Sequence, residues 1–346
     1  MSKIGKTNLN ASNQGLGCMA MSEFYGDPMP EEQAIALIKK AFSNGVNFFD
    51  TADIYGYGDN EVLLGRAVAS LVNSGVAREN IIIASKCGII RDKNDLTKRG
   101  TDNSYQYVKE SCKKSLARLS SSVGYIDLYY LHRIAENGAQ IEEAMRAMAE
   151  LLAENKIKAV GLSEANPIII ANANKVLIHY TQGIHQLAAV QSEYSLMTRN
   201  VENNGVLAIC RKLGITFVAY SPLSRALLTG KLESAEQLAK NDFRRSVPRF
   251  QGENFEKNKA IVKEIRKLAE KKGCSIAQIA LAWVMHQPGV IPIPGTTKEA
   301  NLLSNIAADE VKLSSEEILF LNKLNPAQGT RYSEAAMKIY GFEGEL

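Results

Sequence analysis

The sequence predicts an α/β protein built as a single (β/α)8 barrel (a TIM barrel) over residues 1–346, with an N-terminal hairpin and extended loops where the strands end. Two observations carry this prediction. Short runs of β-branched or aromatic residues alternate along the chain with longer amphipathic segments, and eight such pairs can be counted. A chain of 346 residues with 45% apolar side chains is also long enough to bury one large core.

The eight strand-like runs are spaced along the whole chain, and each is followed by a helical candidate. They are Leu16–Met21, Asn47–Thr51, Ile81–Lys86, Ile126–His132, Ala159–Ser163, Ala188–Tyr194, Thr216–Tyr220 and Val290–Pro294. Runs such as Phe217-Val218-Ala219 are continuously apolar, as expected of parallel strands covered on both faces. An eight-fold parallel array is most simply a closed barrel, and a doubly wound sheet is the alternative.

Two helices carry clear start and stop signals. The first is predicted over Pro30–Asn44, with Glu31 and Glu32 in its first turn and a glycine after its end. The second is predicted over Glu256–Lys272, where apolar residues recur at helical spacing until Gly273. Both patterns are typical of helices that pack against the outside of a barrel.

Two long stretches interrupt this regular alternation. Ser224–Asn254 is rich in arginine and lies inside the seventh unit, and Cys87–Asn103 is polar. Long loops in compact domains are often functional, so we expect the first stretch to be a lid over the site.

Composition narrows the classes of function. With 41 Lys and Arg against 37 Asp and Glu, the net charge of +4 is too small for a nucleic-acid-binding surface and fits a small anionic ligand better. The five cysteines are odd in number and form no C-x-x-C pair, which favours reduced thiols and argues against a metal site.

No signal peptide or membrane-spanning run is present in the sequence, so we expect a cytoplasmic protein without a membrane partner.

Ionisable residues stand at the ends of three successive predicted strands, where this fold carries its active site. Asp50 ends one run and Tyr55 follows in the next loop, Lys86 ends the next run, and His132 ends the one after. Reduction of a carbonyl needs a proton donor and groups that stabilise a developing alkoxide. Tyr55 is the natural donor, and a nearby Lys86 ammonium, paired with Asp50, would lower its pKa. His132 could hold the substrate oxygen.

Each of these residues also has a simpler structural interpretation. An aspartate after a strand often forms a turn, and a lone tyrosine usually packs in the core. Lys86 could be a surface residue or a lysine that forms a Schiff base in a barrel lyase. His132 could be a satisfied buried histidine, although it is one of only four in the chain.

Several strings in their order along the chain resemble the aldo-keto reductase superfamily. They are Phe48-Phe49-Asp50-Thr51-Ala52-Asp53-Ile54-Tyr55-Gly56, Ala84-Ser85-Lys86, Asp127-Leu128-Tyr129-Tyr130-Leu131-His132-Arg133, Val160-Gly161-Leu162-Ser163-Glu164-Ala165, Val190-Gln191-Ser192-Glu193-Tyr194-Ser195-Leu196, Ala219-Tyr220-Ser221-Pro222-Leu223 and Ile293-Pro294-Gly295-Thr296. The resemblance spans nearly the whole chain and is strongest to the branch of aldehyde and pyridoxal reductases.

The resemblance implies that NADPH lies across the carboxyl-end face without a Rossmann domain, and no G-x-G-x-x-G fingerprint occurs here. It implies a catalytic tetrad of Asp50, Tyr55, Lys86 and His132. It also implies that Tyr220 stacks on the nicotinamide. The other residues that it assigns to the cofactor are Ser163 and Gln191 at the carboxamide, Ser221 and Leu223 at the pyrophosphate, and Gly230, Gly295, Thr296, Thr297, Lys298, Asn301 and Asn305.

The adenosine end departs from the family pattern. Relatives usually supply arginines to the 2′-phosphate, because a planar guanidinium fits a phosphate well. Here Lys298 keeps one cation, but Asn301 replaces the expected arginine. We expect NADPH or NADP+ as cofactor, with NADH as the alternative.

The sequence therefore predicts an enzyme that reduces an aldehyde or ketone of unspecified structure. Two other functions stay open. One is a nicotinamide-nucleotide-binding regulatory subunit with little turnover, and the other is a barrel lyase that uses Lys86 as imine former. The oligomeric state is also open.

Overall fold

The computed structural model describes residues 1–95, 97–120, 122–334 and 337. Its main sheet consists of eight parallel strands, each hydrogen-bonded to the next. Numbered within the whole chain, they are β3 (Leu16–Gly17), β4 (Phe48–Asp50), β5 (Ile82–Cys87), β8 (Ile126–Leu131), β9 (Ile157–Ser163), β10 (Ala189–Glu193), β11 (Thr216–Tyr220) and β12 (Val290–Pro292).

Hydrogen bonds between the first and last strands close this sheet into a barrel. The Gly15 amide donates to the carbonyl of Pro292 over 2.9 Å, and Gly17 forms a parallel bridge with Gly295. Glycine is favoured at both positions of the bridge, since a Cβ on Gly295 would lie 2.9 Å from the Gly17 carbonyl oxygen and one on Gly17 would lie 3.0 Å from the Ile293 carbonyl oxygen. The predicted (β/α)8 barrel is confirmed, and the doubly wound sheet is excluded.

An N-terminal hairpin covers the end of the barrel where the strands begin. It pairs β1 (Ser2–Lys3) with β2 (Asn10–Ala11), as predicted. Ile4 is fully buried and packs among the side chains that fill the barrel interior. The Gly5 amide donates to Thr216 Oγ1 over 2.8 Å, which fixes the hairpin to a barrel strand.

Eleven α-helices can be assigned in the described residues, and most of them cover the outside of the barrel. They are α1 (Glu31–Ser43), α2 (Asp59–Asn73), α3 (Tyr105–Leu119), α4 (Ile141–Ala153), α5 (Pro167–Tyr180), α6 (Asn200–Asn203), α7 (Val206–Leu213), α8 (Gly252–Lys272), α9 (Ile276–Met285), α10 (Glu299–Ile306) and α11 (Ser315–Asn322). None of the described helices has both the length and the hydropathy needed to cross a bilayer.

The two predicted helices are confirmed, with a difference at one end. Helix α1 matches its prediction to within a residue, and Pro30 stands immediately before it. Helix α8 begins at Gly252, four residues earlier than predicted. The apolar face already includes Phe255, which is buried against the core. Its end at Gly273, in a left-handed conformation, is the predicted one.

Three loop regions differ from the sequence prediction. The first strand is shorter than expected, because Met19–Met21 forms a 3-10 turn rather than an extended strand. Met21 is buried in this turn, and an apolar run of this length does not distinguish the two conformations. The polar stretch after β5 holds a second hairpin, β6 (Ile89–Arg91) with β7 (Arg99–Thr101). The long stretch from Ser224 is a series of short 3-10 turns.

Candidate active site

The alternation of side chains along each strand places a set of polar residues inside the barrel at its carboxyl end. Phe48, Ile82 and Leu128 face inward and belong to the interior apolar cluster. Because successive side chains on a strand point to opposite faces, Asp50 and Lys86 share that inward direction two and four residues later. His132 follows β8 in the same phase. The same phase brings Ser163, Gln191 and Tyr220 inward on β9, β10 and β11.

Lys86 joins two of the other candidate catalytic residues. Its ammonium donates to Asp50 Oδ1 and, over 2.7 Å, to the carbonyl of Thr51. The same nitrogen lies 3.5 Å from the hydroxyl oxygen of Tyr55. The second carboxylate oxygen of Asp50 accepts a hydrogen bond of 2.8 Å from Gln191 Nε2. Asp50 therefore has fixed donors on both oxygens, and its charge stays beside the ammonium.

Tyr55 and His132 meet at the edge of this group. Tyr55 begins a 3-10 turn after β4, and its ring lies 5.7 Å from the His132 ring at an angle of 82°. Both side chains are buried except for small exposed fractions, 8% for Tyr55 and 6% for His132. His132 Nδ1 has no hydrogen-bond partner among the described residues. The structure thus brings together all four residues predicted for catalysis.

Burial is the largest influence on the pKa values of Tyr55, Lys86 and His132. Burial raises the pKa of Tyr55 well above its ordinary value, and the charge of Asp50 raises it further. The net pKa of Tyr55 is therefore raised, not lowered as expected, because burial and the charge of Asp50 outweigh the lowering effect of Arg133. Burial lowers the pKa of Lys86, which the contact with Asp50 opposes. Burial and the cations Arg133 and Lys86 hold the pKa of His132 well below its usual range.

One cavity of about 970 Å³ joins these residues to the predicted cofactor positions. Asp50, Tyr55 and His132 line it, whereas Lys86 does not. The predicted cofactor residues that line it are Ser163, Gln191, Tyr220, Ser221, Leu223, Gly295, Thr296, Thr297, Lys298, Asn301 and Asn305. Gly230 is the exception: it ends a 3-10 turn with φ +65°, and its neighbours Thr229 and Lys231 line the cavity instead.

The end of β11 leaves the strand abruptly. Tyr220 lies at the strand end with its hydroxyl 3.1 Å from the Tyr332 hydroxyl, and the next residue, Ser221, has φ +49°. Positive φ recurs at Ser224 and Arg225. Left-handed backbone in residues other than glycine is strained and concentrates at functional sites.

Two lysines flank the end of the cavity where the sequence predicts the adenosine of the cofactor. Lys298 precedes helix α10, and Lys231 Nζ donates to Asn301 Oδ1 over 3.2 Å. Glu299 would bring a negative charge to this end, but it forms a 3.0 Å ion pair with Lys40 of α1. Lys231 was not identified from the sequence, although it directly follows Gly230, which was.

Aromatic side chains from two loops meet across the cavity. Phe243 of the long stretch packs edge-on against Phe24 and Tyr25, and its amide donates to the Phe24 carbonyl over 3.1 Å. Phe24, Tyr25 and Phe243 therefore give the cavity an apolar wall. Tyr57 does not line the cavity and lies against the guanidinium of Arg91.

Several charged residues of the site were not predicted from the sequence. Arg133 lines the cavity beside His132, and Glu164 follows Ser163; both stand inside the quoted motifs and could have been found there. Arg331 and Tyr332 approach from far along the chain, and no sequence signal marks them. Arg331 forms a two-pronged ion pair with Glu164 at 2.9 Å for both contacts.

Comparisons with known proteins agree with this architecture. The model of the aldo/keto reductase family matches residues 15–326. A probable aldo-keto reductase of Glycine max is 44% identical over 318 residues, which cover 91% of this chain and 86% of that protein. The structure of a glycerol dehydrogenase from Gluconobacter oxydans matches with a TM-score of 0.77 and 29% identity, over 94% of this chain and 98% of that one.

An aldo-keto reductase from Bacillus halodurans, solved in its holo form, matches with a TM-score of 0.71 and 25% identity, over 95% of this chain and 97% of that one. Aldo-keto reductases are oxidoreductases of carbonyl compounds that generally use nicotinamide cofactors. The family match over nearly the whole chain, the curated relative and the closed eight-stranded barrel all lead to the same conclusion, that this chain belongs to the aldo-keto reductase family.

Proposed function

We propose that the protein reduces aldehydes or ketones to alcohols with NADPH, and that Tyr55 donates the proton. The observation that carries this proposal is the contact of the Tyr55 hydroxyl with Lys86 Nζ at 3.5 Å, on the wall of a cavity that His132 also lines. A phenol at a cavity wall, backed by a buried ammonium, is suited to deliver a proton to a carbonyl oxygen.

The residues around the cavity fit a nicotinamide nucleotide. The volume of the cavity, about 970 Å³, is at the upper end of the range for ordinary small-molecule sites. At one end, Ser163 and Gln191 offer a buried hydroxyl and a buried amide to a carboxamide. At the other end, Lys231 and Lys298 offer cations to phosphate groups. Bound there, the nucleotide would supply the hydride.

Tyr55 is the proton donor because it holds its proton at neutral pH and reaches the cavity. Burial keeps its pKa high, so the hydroxyl stays protonated until a stronger base appears. A developing alkoxide is such a base. Once the proton moves, the phenolate left on Tyr55 is stabilised by the Lys86 ammonium, and Asp50 keeps that ammonium in place.

His132 would orient the substrate oxygen as a neutral imidazole. Its low pKa leaves the ring uncharged, so it can donate one hydrogen bond to a carbonyl oxygen without a second cation beside Lys86. Phe24, Tyr25 and Phe243 place apolar aromatic surface on the cavity wall. Where a bound substrate displaces water from this wall, the electrostatic contacts that stabilise the alkoxide are stronger.

The position of Lys86 speaks against a lyase that works through an imine. Lys86 is fully buried and does not line the cavity. Its ammonium donates hydrogen bonds to Asp50 and to the Thr51 carbonyl. An imine-forming lysine must reach a substrate carbonyl.

The test begins with calorimetric titration of the purified protein with NADPH and with NADH. Oxidation of the better nucleotide is then followed with a panel of carbonyls that includes a nitrobenzaldehyde. We expect tighter binding of NADPH and oxidation that depends on the added carbonyl. Absence of binding to both nucleotides would overturn the proposal. Tight binding without turnover on any carbonyl would instead favour a nucleotide-sensing regulatory subunit.

A further inference from the structure

We propose that Arg331 is a positioning residue for Tyr220, and that the C-terminal segment, residues 326–332, thereby forms part of the cofactor site. The inference rests on the proposed function and on the expectation, drawn from the family resemblance, that the Tyr220 ring stacks on the nicotinamide. It concerns a residue that lies more than a hundred positions after the strand that it supports.

The guanidinium of Arg331 connects Glu164 with the hydroxyl of Tyr220. Its two terminal nitrogens donate to the two carboxylate oxygens of Glu164, both over 2.9 Å. One of these nitrogens also lies 3.3 Å from the Tyr220 hydroxyl. The same hydroxyl meets the Tyr332 hydroxyl at 3.1 Å. Two consecutive residues of the C-terminal segment therefore hold the outer end of the Tyr220 ring.

Glu164, which accepts the hydrogen bonds of Arg331, is itself held in a fixed position. Its amide donates to the Gln191 carbonyl over 2.9 Å, and its Oε1 accepts the Glu193 amide over 3.0 Å. Its backbone is left-handed, with φ +53°, a conformation that costs energy and that these contacts enforce. The carboxylate is thus fixed to β10 independently of Arg331.

The C-terminal segment is tied to the barrel along its length. Asn258 of α8 exchanges two hydrogen bonds with the backbone of Gln328, at 2.8 and 3.0 Å. Arg249 Nε donates to the Gly329 carbonyl over 3.1 Å. Arg225 donates to the carbonyl of Arg331 and to Glu193. These contacts deliver Arg331 and Tyr332 to one defined position above β11.

The Tyr220 ring depends on these contacts at its hydroxyl because β11 ends at Tyr220 and no strand backbone continues beyond it. Tyr220 is the last residue of β11, and Ser221 already turns away with φ +49°. A stacking platform contributes most when its orientation is fixed before the ligand arrives. Hydrogen bonds at the hydroxyl fix the end of the ring that the strand does not hold.

Two variants test the role without relying on a single unpaired charge. Tyr220→Phe removes the hydroxyl that Arg331 and Tyr332 contact but keeps the ring. The double variant Arg331→Gln with Glu164→Gln replaces both charged partners by neutral amides, which avoids leaving one buried charge alone. Melting temperatures and far-UV circular dichroism show that each variant is folded.

The matched control is the double variant Arg199→Gln with Glu202→Gln. Arg199 and Glu202 also form a two-pronged ion pair, at 2.7 and 2.9 Å. Arg199 also donates a hydrogen bond to the carbonyl of Asn322, a residue near the C-terminal end of the chain. Neither residue lines the cavity. A general loss of stability on removing such a pair would affect this control as well.

The readouts are the dissociation constant of NADPH by calorimetry and the stereospecificity of hydride transfer from NADPH deuterated at one C4 position. We expect both test variants to bind NADPH about tenfold more weakly and to transfer either of the two C4 hydrogens, where wild type transfers one. The control should bind NADPH within about twofold of wild type and keep its stereospecificity. Wild-type affinity and stereospecificity in both test variants would overturn the inference alone. Failure of the wild-type protein to bind either nucleotide would overturn the proposed function and the inference with it.

Discussion

Lys86 Nζ lies 3.5 Å from the Tyr55 hydroxyl oxygen, and of the two residues only Tyr55 lines the cavity. Lys86 is fully buried and is bonded to Asp50 and to the Thr51 carbonyl. This arrangement assigns different roles to the two groups. Tyr55 can exchange a proton with a ligand, whereas Lys86 acts on that ligand only through the phenol.

The pH profile of turnover tests the state of His132. Burial and two nearby cations hold the pKa of His132 well below its usual range, so the ring stays neutral as the pH falls through 6.5. We therefore expect kcat and kcat/KM to show no inflection near pH 6.5 from this residue. An inflection there in the wild type that disappears in His132→Gln would contradict a neutral imidazole.

Acid stability tests the pair of Glu164 with Arg331. Burial alone would raise the pKa of Glu164, but the charge and hydrogen bonds of Arg331 outweigh it and hold the pKa at about 2, against an ordinary value of 4.5. Stability from this pair is present above pH 4.5 and is lost as the pH falls towards 2. The loss amounts to about 3 kcal/mol of unfolding free energy.

The measurement is urea unfolding at several pH values between 5 and 2, as far as the protein stays folded. Compared with wild type, the Arg331→Gln, Glu164→Gln double variant should lose this part of the pH dependence. Parallel curves for the two proteins over that range would mean that Glu164 is not held ionised by Arg331.

Packing inside the barrel predicts the effect of Gly161→Ala. A Cβ at Gly161 would lie 2.4 Å from ring carbons of Tyr130 and 2.9 Å from the Ala189 carbonyl oxygen. Both neighbours are buried, so the variant should lose about 1–3 kcal/mol of unfolding free energy, measured by urea denaturation. Gly100→Ala is the control, since Gly100 also lies in a strand and its nearest neighbour would be Ile90 Cδ1 at 4.0 Å. Equal stability of the two variants would contradict the close contact.

Cofactor preference can be changed at Asn301. Asn301 lines the end of the cavity that we propose for the adenosine of the cofactor, and Lys231 and Lys298 also line the cavity. Asn301→Arg adds a guanidinium suited to a phosphate and should tighten NADPH binding by about tenfold, with little change for NADH. Leu303→Arg adds the same charge to α10 at a residue that does not line the cavity. Equal tightening of both nucleotides, or an equal effect of Leu303→Arg, would contradict the assignment.

Much of the fold could be predicted because strands and helices leave periodic signals. Ile81–Ala84 is apolar on both faces and forms part of a buried strand, and α1 follows its Pro30 and glutamate signals. The order of strand ends was enough to bring Asp50, Lys86 and His132 together, since parallel strands end on one side of the sheet. Local apolar runs were less informative, as the 3-10 turn at Met19–Met21 shows.

The support of the site could not be predicted, because it depends on contacts between distant parts of the chain. Arg331 and Glu164 are separated by 167 positions, and nothing local to either residue indicates the other. The high pKa of Tyr55 was also missed, since the degree of burial decides it and the sequence does not report burial. The sequence shows the arginines of the long stretch after Ser224, but it does not show which residues they contact.

Tyr55→Phe, measured for turnover and for cofactor binding in the same preparation, tests the central proposal most directly. The variant removes the proton donor and keeps the ring beside His132. We expect kcat for aldehyde reduction to fall by about 10³-fold while the NADPH dissociation constant stays within about threefold of wild type. Turnover above about a tenth of wild type, or loss of NADPH binding together with turnover, would contradict Tyr55 as the proton donor.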